Sequence, residues 1–376
     1  MNALRSCLRP VAQLAREAFV RSEAMIRPGQ GPLAVLLPAY GRQGASLLRI
    51  YNVATALRRC GWRTLVLPPA LSLRQRRRLL GLTQPDVLVM QGVRHALNRP
   101  DLYPEIPIAF DLDDADFHLP HLRSALLRAV PAVAAVMAGS SYIADWCRQA
   151  GAERVHVVWT GAPVSARPRP PHSGRGAVIA WAQSRPMTYT PEASLVRQVV
   201  QRLAAFRIPG LTLRLYDRQP GDEPGFAQSF QNEGLRVEWL PVSAYDQYLS
   251  SFDDVSLGLA PLLPDMPFAR GKSFGKVLAY LDRQVPIITS DACENSGFFN
   301  SRTGVITNDI DTWVLEARRL LCDPNARQAM AGAAFDAYRT QLTTDVAAAR
   351  VASVFSEITQ HNQPYPTSWG SIRSSQ

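Results

Sequence analysis

The stretch FARGKSFGKVLAYLDRQVPIITSD, residues 268–291, sets one arginine, two lysines and two glycines directly ahead of an apolar run. Working outward, VSLGLAPL (255–262) reads as a buried strand and LPDMPFARGK (263–272) as the loop at its carboxyl end. SFGKVLAYLD (273–282) then reads as a helix with Ser273 as N-cap, and VPIITSD (285–291) as the next strand. In an open parallel sheet, ligands settle at the carboxyl ends of strands, where helix N-termini present free N–H groups and partial positive charge. Arg270, Gly271, Lys272, Ser273 and Lys276 therefore form a candidate phosphate or diphosphate site, set against the plainer reading of a solvated charged face.

The same alternation of apolar runs and helical patterns extends in both directions. Upstream, LAVLLP (33–38), TLVLPP (64–69), DVLVMQG (86–92), IPIAFDLDD (106–114), VAAVMAGS (133–140) and VHVVWTG (155–161) read as strands. SLLRIYNVATALRRCG (46–61), LRQRRRLLGL (73–82) and YIADWCRQAG (142–151) read as helices between them. A stretch rich in Pro, Arg and Gly (162–176) breaks the pattern as linkers do, and a second series from AVIAWAQS (177–184) onward repeats it. The fold class expected is α/β, with two Rossmann-like doubly wound domains facing a cleft. The boundaries follow as an N-terminal amphipathic segment over 1–30, a first domain over 31–165, a linker over 166–176, a second domain over 177–345, a C-terminal helix over 346–361 and a flexible polar tail over 362–376.

Composition narrows the function classes. The 376 residues are 47% hydrophobic, ordinary for a globular protein, and the formal net charge of +10 is carried by arginine because Lys272 and Lys276 are the only lysines. An arginine-rich surface suits phosphate, anionic lipid or nucleic acid. Nucleic acid is not expected as a partner, since the aromatics are not interleaved with the arginines and no recognition motif appears. The five cysteines have no C-x-x-C spacing, which argues against a zinc site and a secreted disulfide framework and favours a reducing cytoplasm. No run approaches the length of a membrane span, and arginines interrupt any signal-like core at the start. The stripe Leu4, Leu8, Val11, Leu14, Ala15 and Ala18 reads as a helix docked on the protein's own surface or lying on an anionic membrane. Arg74, Arg76, Arg77 and Arg78 likewise read as a lipid-facing cluster or a solvated helix face.

Residues 251–291 and the following TGVITNDIDTWVLEARRLLCDPNARQAMAGAA (303–334) resemble the C-terminal half of retaining GT-B glycosyltransferases of the glycogen-synthase-like group (group 1, family 4). The N-terminal half resembles the family too, in the glycine-bearing loop and helix AYGRQGASLLRIYNVATALRRCG (39–61), the acidic turn FDLDDADF (110–117) and AGSSYIADWCRQAG (138–151). The resemblance spans roughly 32–345 and implies a GT-B architecture and transfer of a sugar, with retention of configuration, from a nucleotide-sugar of unknown base to a glycan, lipid-linked or protein acceptor. It implies a cytoplasmic, bacterial enzyme, possible contact with the inner face of the membrane through the basic helices, and no required cofactor or metal.

The candidate roles can then be assigned. Arg185, Arg270, Gly271, Lys272, Ser273 and Lys276 are candidates for the donor diphosphate, because fixed cations offset charge developing on a departing nucleoside diphosphate. Asp113 and Asp114, after the strand at 106–112, read as carboxylates that orient an acceptor hydroxyl or act as base, or as capping acids of the next helix; His118 is a candidate for shaping the cleft, or a polar surface residue. Gly41, Gly44 and Arg49 are candidates for the acceptor side. The family's two donor-binding glutamates fall on Gly271 and Ala279, so both carboxylates are absent; Asp282, one turn on, is a possible substitute. That departure supports an alternative expectation, a GT-B-fold nucleotide- or glycan-binding partner without catalysis.

Overall fold

Short apolar runs bounded by proline, glycine or acidic residues become strands buried on both faces, as parallel sheets covered by helices require. In the computed structural model, which describes Ala18, residues 30–292 and residues 294–361, the first sheet comprises β1 (Leu33–Leu37), β2 (Arg63–Val66), β3 (Val87–Gln91), β4 (Ile108–Leu112), β5 (Ala135–Ala138) and β6 (Val155–Val157). It runs parallel in the order β2-β1-β3-β4-β5-β6. The second comprises β7 (Val178–Trp181), β8 (Thr212–Arg218), β9 (Arg236–Pro241), β10 (Leu257–Ala260), β11 (Ile287–Thr289) and β12 (Val305–Ile306), in the order β12-β11-β10-β7-β8-β9 and again parallel. The two-residue β12 went unread in the sequence because so short a run has no periodicity. The segment read over 1–30, Ala18 and Gln30 apart, and the tail over 362–376 lie outside the described residues.

The first domain carries α1 (Gly44–Ser46, a π turn over Leu47–Asn52, then Val53–Leu57), α2 (Leu73–Thr83), α3 (Pro120–Ala129) and α4 (Ser141–Gln149). The second carries α5 (Thr190–Ala204), α6 (Pro224–Gln228), α7 (Tyr245–Ser250), α8 (Leu278–Asp282), α9 (Asn295–Phe298), α10 (Ile310–Cys322) and α11 (Pro324–Gln341). The last helix, α12 (Thr344–His361), returns to the first domain, where Val351, Val354, Phe355 and Ile358 pack with Ile50, Val53, Leu57 and Trp62. The rings of Trp62 and Phe355 meet edge-on at 4.9 Å. The chain thus crosses between domains twice, and the crossings are tied together by Ala162 N donating to Leu342 O (3.1 Å) and Thr344 N donating to Ala162 O (3.0 Å).

Three expectations change here. The basic helix α2 does not present four arginines outward: Arg76 is fully buried and donates to Asn98 Oδ1 (3.2 Å) and Pro69 O (3.1 Å). The proline- and arginine-rich stretch 166–176 is a strap pinned to the second domain. Arg175 donates to the carbonyls of Val255 (2.8 Å), Pro170 (2.9 Å), Arg283 (3.1 Å) and Gln284 (3.2 Å). Arg283, wholly buried, donates to Pro168 O (2.5 Å) and pairs with Asp253 Oδ1 (2.5 Å). Asp282 also faces this strap, accepting from Ser165 N (2.8 Å) and pairing with Arg169 (3.1 Å), so it does not substitute for a cleft carboxylate.

Candidate functional site

The carboxyl edges of the two sheets face each other, and the loop after β10 crosses from one to the other. Phe268 packs against the core of the first domain, and Gly271 sits on Ala115, where a Cβ at position 271 would lie 2.5 Å from that of Ala115. Only a residue without a side chain permits this approach, so the family's first glutamate has no room here. Ser140 Oγ donates to Gly271 O (3.2 Å), and Thr160 N donates to Ser273 Oγ (3.5 Å). From the loop after β11, Glu294 accepts from Ser141 N (2.6 Å) and Trp159 Nε1 (2.8 Å). The opening motif is therefore also an interdomain clasp.

Its local structure differs from the helix expected. The backbone makes 3₁₀ turns over Ala269–Gly271 and Phe274–Lys276 before α8, and the Ser273 side chain caps nothing. What places α8 is Tyr280, whose ring lies against Gly258 of β10 and whose hydroxyl accepts from Ala182 N (2.7 Å) and donates to Ala180 O (3.0 Å). Ala279 is buried in the core beneath.

The two lysines meet different surroundings. Lys272 Nζ lies 2.5 Å from Asp114 Oδ1 and 4.5 Å from the centre of the Phe268 ring. Burial works against its charge, but Asp114 outweighs burial and holds the amine above its ordinary range. Lys276 Nζ donates to Gln183 Oε1 and stands 4.1 Å over the Tyr189 ring, and no carboxylate lies within ion-pair distance of it among the described residues. Burial, reinforced by the neighbouring Lys272 charge, pushes its amine down to about 7 against the opposing pull of Glu192 and Asp114.

Across the cleft, Asp114 also accepts from Arg94 (2.8 Å), which reaches on to Asp116 (2.5 Å). Burial pushes the Asp114 carboxyl up, but Lys272 and Arg94 together hold it below the ordinary range. Asp113 Oδ1 accepts from Thr160 Oγ1 (2.8 Å) and lies 3.3 Å from Arg49 Nη1. Neither aspartate caps a helix, because α3 starts at Pro120 after Leu119, whose side chain makes no capping bond. Arg49, on the π turn, is buried and committed to Asp111 (2.5 Å), Val158 O (2.8 Å) and Thr160 Oγ1 (3.1 Å). It braces Asp113 and Thr160 from within the first domain, and its guanidinium is not exposed toward an acceptor as expected from the sequence.

The remaining candidates lie around the rim. His118 Nε2 and Tyr142 Oη are 2.8 Å apart, Arg270 lies 4.9 Å over the Tyr142 ring, and burial followed by Arg123 and Arg270 lowers the imidazole's proton affinity. Gly41, on the loop after β1, and Gly44, at the start of α1, are exposed, with open space on the side where a Cβ would project. Arg185 is exposed on the loop after β7, between Gln183 and Tyr189, the two residues that Lys276 contacts. Sequence reasoning missed Arg94, Thr160, Gln183, Glu192 and Glu294, of which Arg94, Thr160, Gln183 and Glu294 lie in the loops at the carboxyl ends of strands; strand-end position was the signal that could have found them.

No family model matches the chain, and no curated relative matches it. Among solved structures it is similar to sucrose-phosphate synthase from Thermosynechococcus elongatus, with TM-score 0.65 and 10% identity over 88% of this chain and 100% of that one. It is similar to HepE of Anabaena in complex with UDP and glucose, with TM-score 0.62 and 14% identity over 87% of this chain and 100% of that one. A putative UDP-N-acetylglucosamine 2-epimerase from Listeria monocytogenes is matched with TM-score 0.57 and 12% identity over 89% of this chain and 98% of that one. The two facing parallel sheets have the GT-B architecture.

Proposed function

We propose that the protein is a glycosyltransferase that moves a sugar from a nucleotide-sugar to an acceptor, with retention of configuration. The observation that carries this reading is the juxtaposition, across one cleft, of the chain's only two lysines with the acidic turn at Asp113 and Asp114. A nucleoside diphosphate on Lys272 and Lys276 would leave as its charge grows, and fixed cations stabilise that charge more in the transition state than in the ground state. Asp113, braced by Arg49 and Thr160, is the residue placed to orient an acceptor hydroxyl, while Asp114 is too strongly paired to serve as a base. UDP in the HepE structure supports a nucleotide donor of this kind. Among the described residues no helix is long and apolar enough to cross a membrane, and the outward Arg74, Arg77 and Arg78 suit a peripheral contact with anionic lipid if the acceptor is lipid-linked.

The test is release of nucleotide, and transfer of label, from UDP-, GDP-, ADP-, dTDP- and CMP-sugars in the presence of cell-extract acceptors. Turnover with one donor that falls at least about 10²-fold in a Lys272→Ala, Lys276→Ala variant supports the assignment. A second reading, nucleotide or glycan binding without catalysis, is favoured by the closed space at Gly271 and the missing carboxylate at Ala279. Tight nucleotide binding with no release from any donor would select it.

A further inference from the structure

The pairing of charges at the clasp is unequal, and the inequality has a functional consequence. Lys272 has a carboxylate, Asp114, at 2.5 Å, whereas Lys276 has only the amide oxygen of Gln183 and the face of Tyr189. An ammonium group withdrawn from water is stable only if paired; without a counter-charge it gives up its proton instead. A bound anion would reverse that balance by supplying the missing charge. We propose that the Lys272–Lys276 pair is a proton-linked diphosphate site, at which the ligand and one proton, carried by the Lys276 amine, bind together.

The charged and titratable neighbours of Lys276 are few. From its own loop comes Lys272, from the loop after β7 and the first turn of α5 come Tyr189 and Glu192, and from the first domain comes Asp114. Lys272 opposes charge on Lys276, and the two carboxylates favour it without offsetting burial, which leaves the free amine titrating at about 7. A diphosphate carries more charge than either carboxylate and would raise the amine well above that point. Proton uptake is therefore close to zero below pH 6 and close to one proton per ligand at pH 8 to 9, where binding weakens by up to about tenfold per pH unit. The inference deepens the nucleotide reading above and rests on it.

With two lysines in the whole chain, the test is direct. Reductive methylation with ¹³C-formaldehyde labels Lys272, Lys276 and the α-amine, and Lys272→Arg and Lys276→Arg variants assign the signals. The Lys276 signal is expected to titrate near neutral pH in the free protein and to move by two units or more upward with saturating UDP, GDP or ADP. Calorimetry of the same nucleotides on the unmodified protein, in buffers of different ionisation enthalpy at pH 7.5 to 9, reads proton uptake above the nucleotide's own phosphate titration. Lys276→Arg, charged at every pH, should bind without proton uptake and without pH dependence. Binding of a nucleotide with no proton uptake, or a free Lys276 signal titrating near 10, overturns the inference and leaves the nucleotide reading standing. If none of the three nucleotides binds, the nucleotide reading falls and the inference falls with it.

Discussion

Two basic, proline-bearing stretches, the strap 166–176 and the loop 261–276, look alike in composition and end in opposite states. In the strap the cations other than the half-exposed Arg167 are consumed by the protein: Arg175 reaches four backbone carbonyls, Arg169 holds Asp282, and Arg283 beneath ties Asp253 to the strap carbonyls. In the loop, Lys272 has one carboxylate borrowed from the other domain and Lys276 has one amide oxygen, although each ammonium offers three donors. A charge run is structural when its donors are saturated and available to a ligand when they are not.

The largest expected effect lies in the strap. Arg283→Ala removes a fully buried cation, leaves Asp253 with only the longer contact to Arg167 (3.6 Å) and strands two carbonyls, so denaturant unfolding should show a loss of about 3–5 kcal/mol. If that variant is no less stable than the wild type, the strap is not saturated in the sense argued here.

Acid should loosen the strap next. His172 donates from Nε2 to Gln284 O (2.8 Å), its Nδ1 is buried without a partner, and burial followed by Arg175 pushes the imidazole down to about 4. Its folded value lies below the unfolded value near 6.5, so between pH 4 and 6.5 the unfolded chain binds more protons and stability falls as pH falls. Unfolding free energy should drop by about 1–3 kcal/mol across that window, and His172→Gln should flatten the profile.

In the loop, Gly271→Glu introduces the residue type found at this position in the glycosyltransferases the sequence resembles and forces a side chain against Ala115. A loss of about 1–3 kcal/mol in stability, with no gain in nucleotide affinity, is expected from thermal unfolding and calorimetry. Tighter nucleotide binding in that variant would show that the clasp opens to make room.

Asp114→Asn sharpens the comparison at the smallest scale. It removes the carboxylate that competes for Lys272, so nucleotide affinity should rise by about tenfold, or ~1.4 kcal/mol. Unchanged affinity would mean that Lys272 is not a ligand contact.

The sequence makes the two α/β domains legible because buried parallel strands such as β1, β3, β4 and β5 are unbroken apolar runs with clear ends. It also marks Lys272 and Lys276, since they stand at a strand's carboxyl edge in a chain that otherwise uses arginine. What composition does not carry is direction. Arg49 and Arg76 look like surface residues until the π turn and the packing of α2 turn them inward, and Asp282 faces the strap because α8 is one short turn locked by Tyr280. Nor does a pattern show that position 271 lies against Ala115, because that contact spans residues 156 apart in the chain.

The measurement that bears most directly on the central claim is calorimetric titration of UDP, GDP and ADP into the wild-type protein and the Lys272→Ala, Lys276→Ala variant. The account predicts saturable binding of at least one nucleotide to the wild type and its loss in the variant. Equal binding to both proteins, or to neither, would contradict a donor site at the lysine pair.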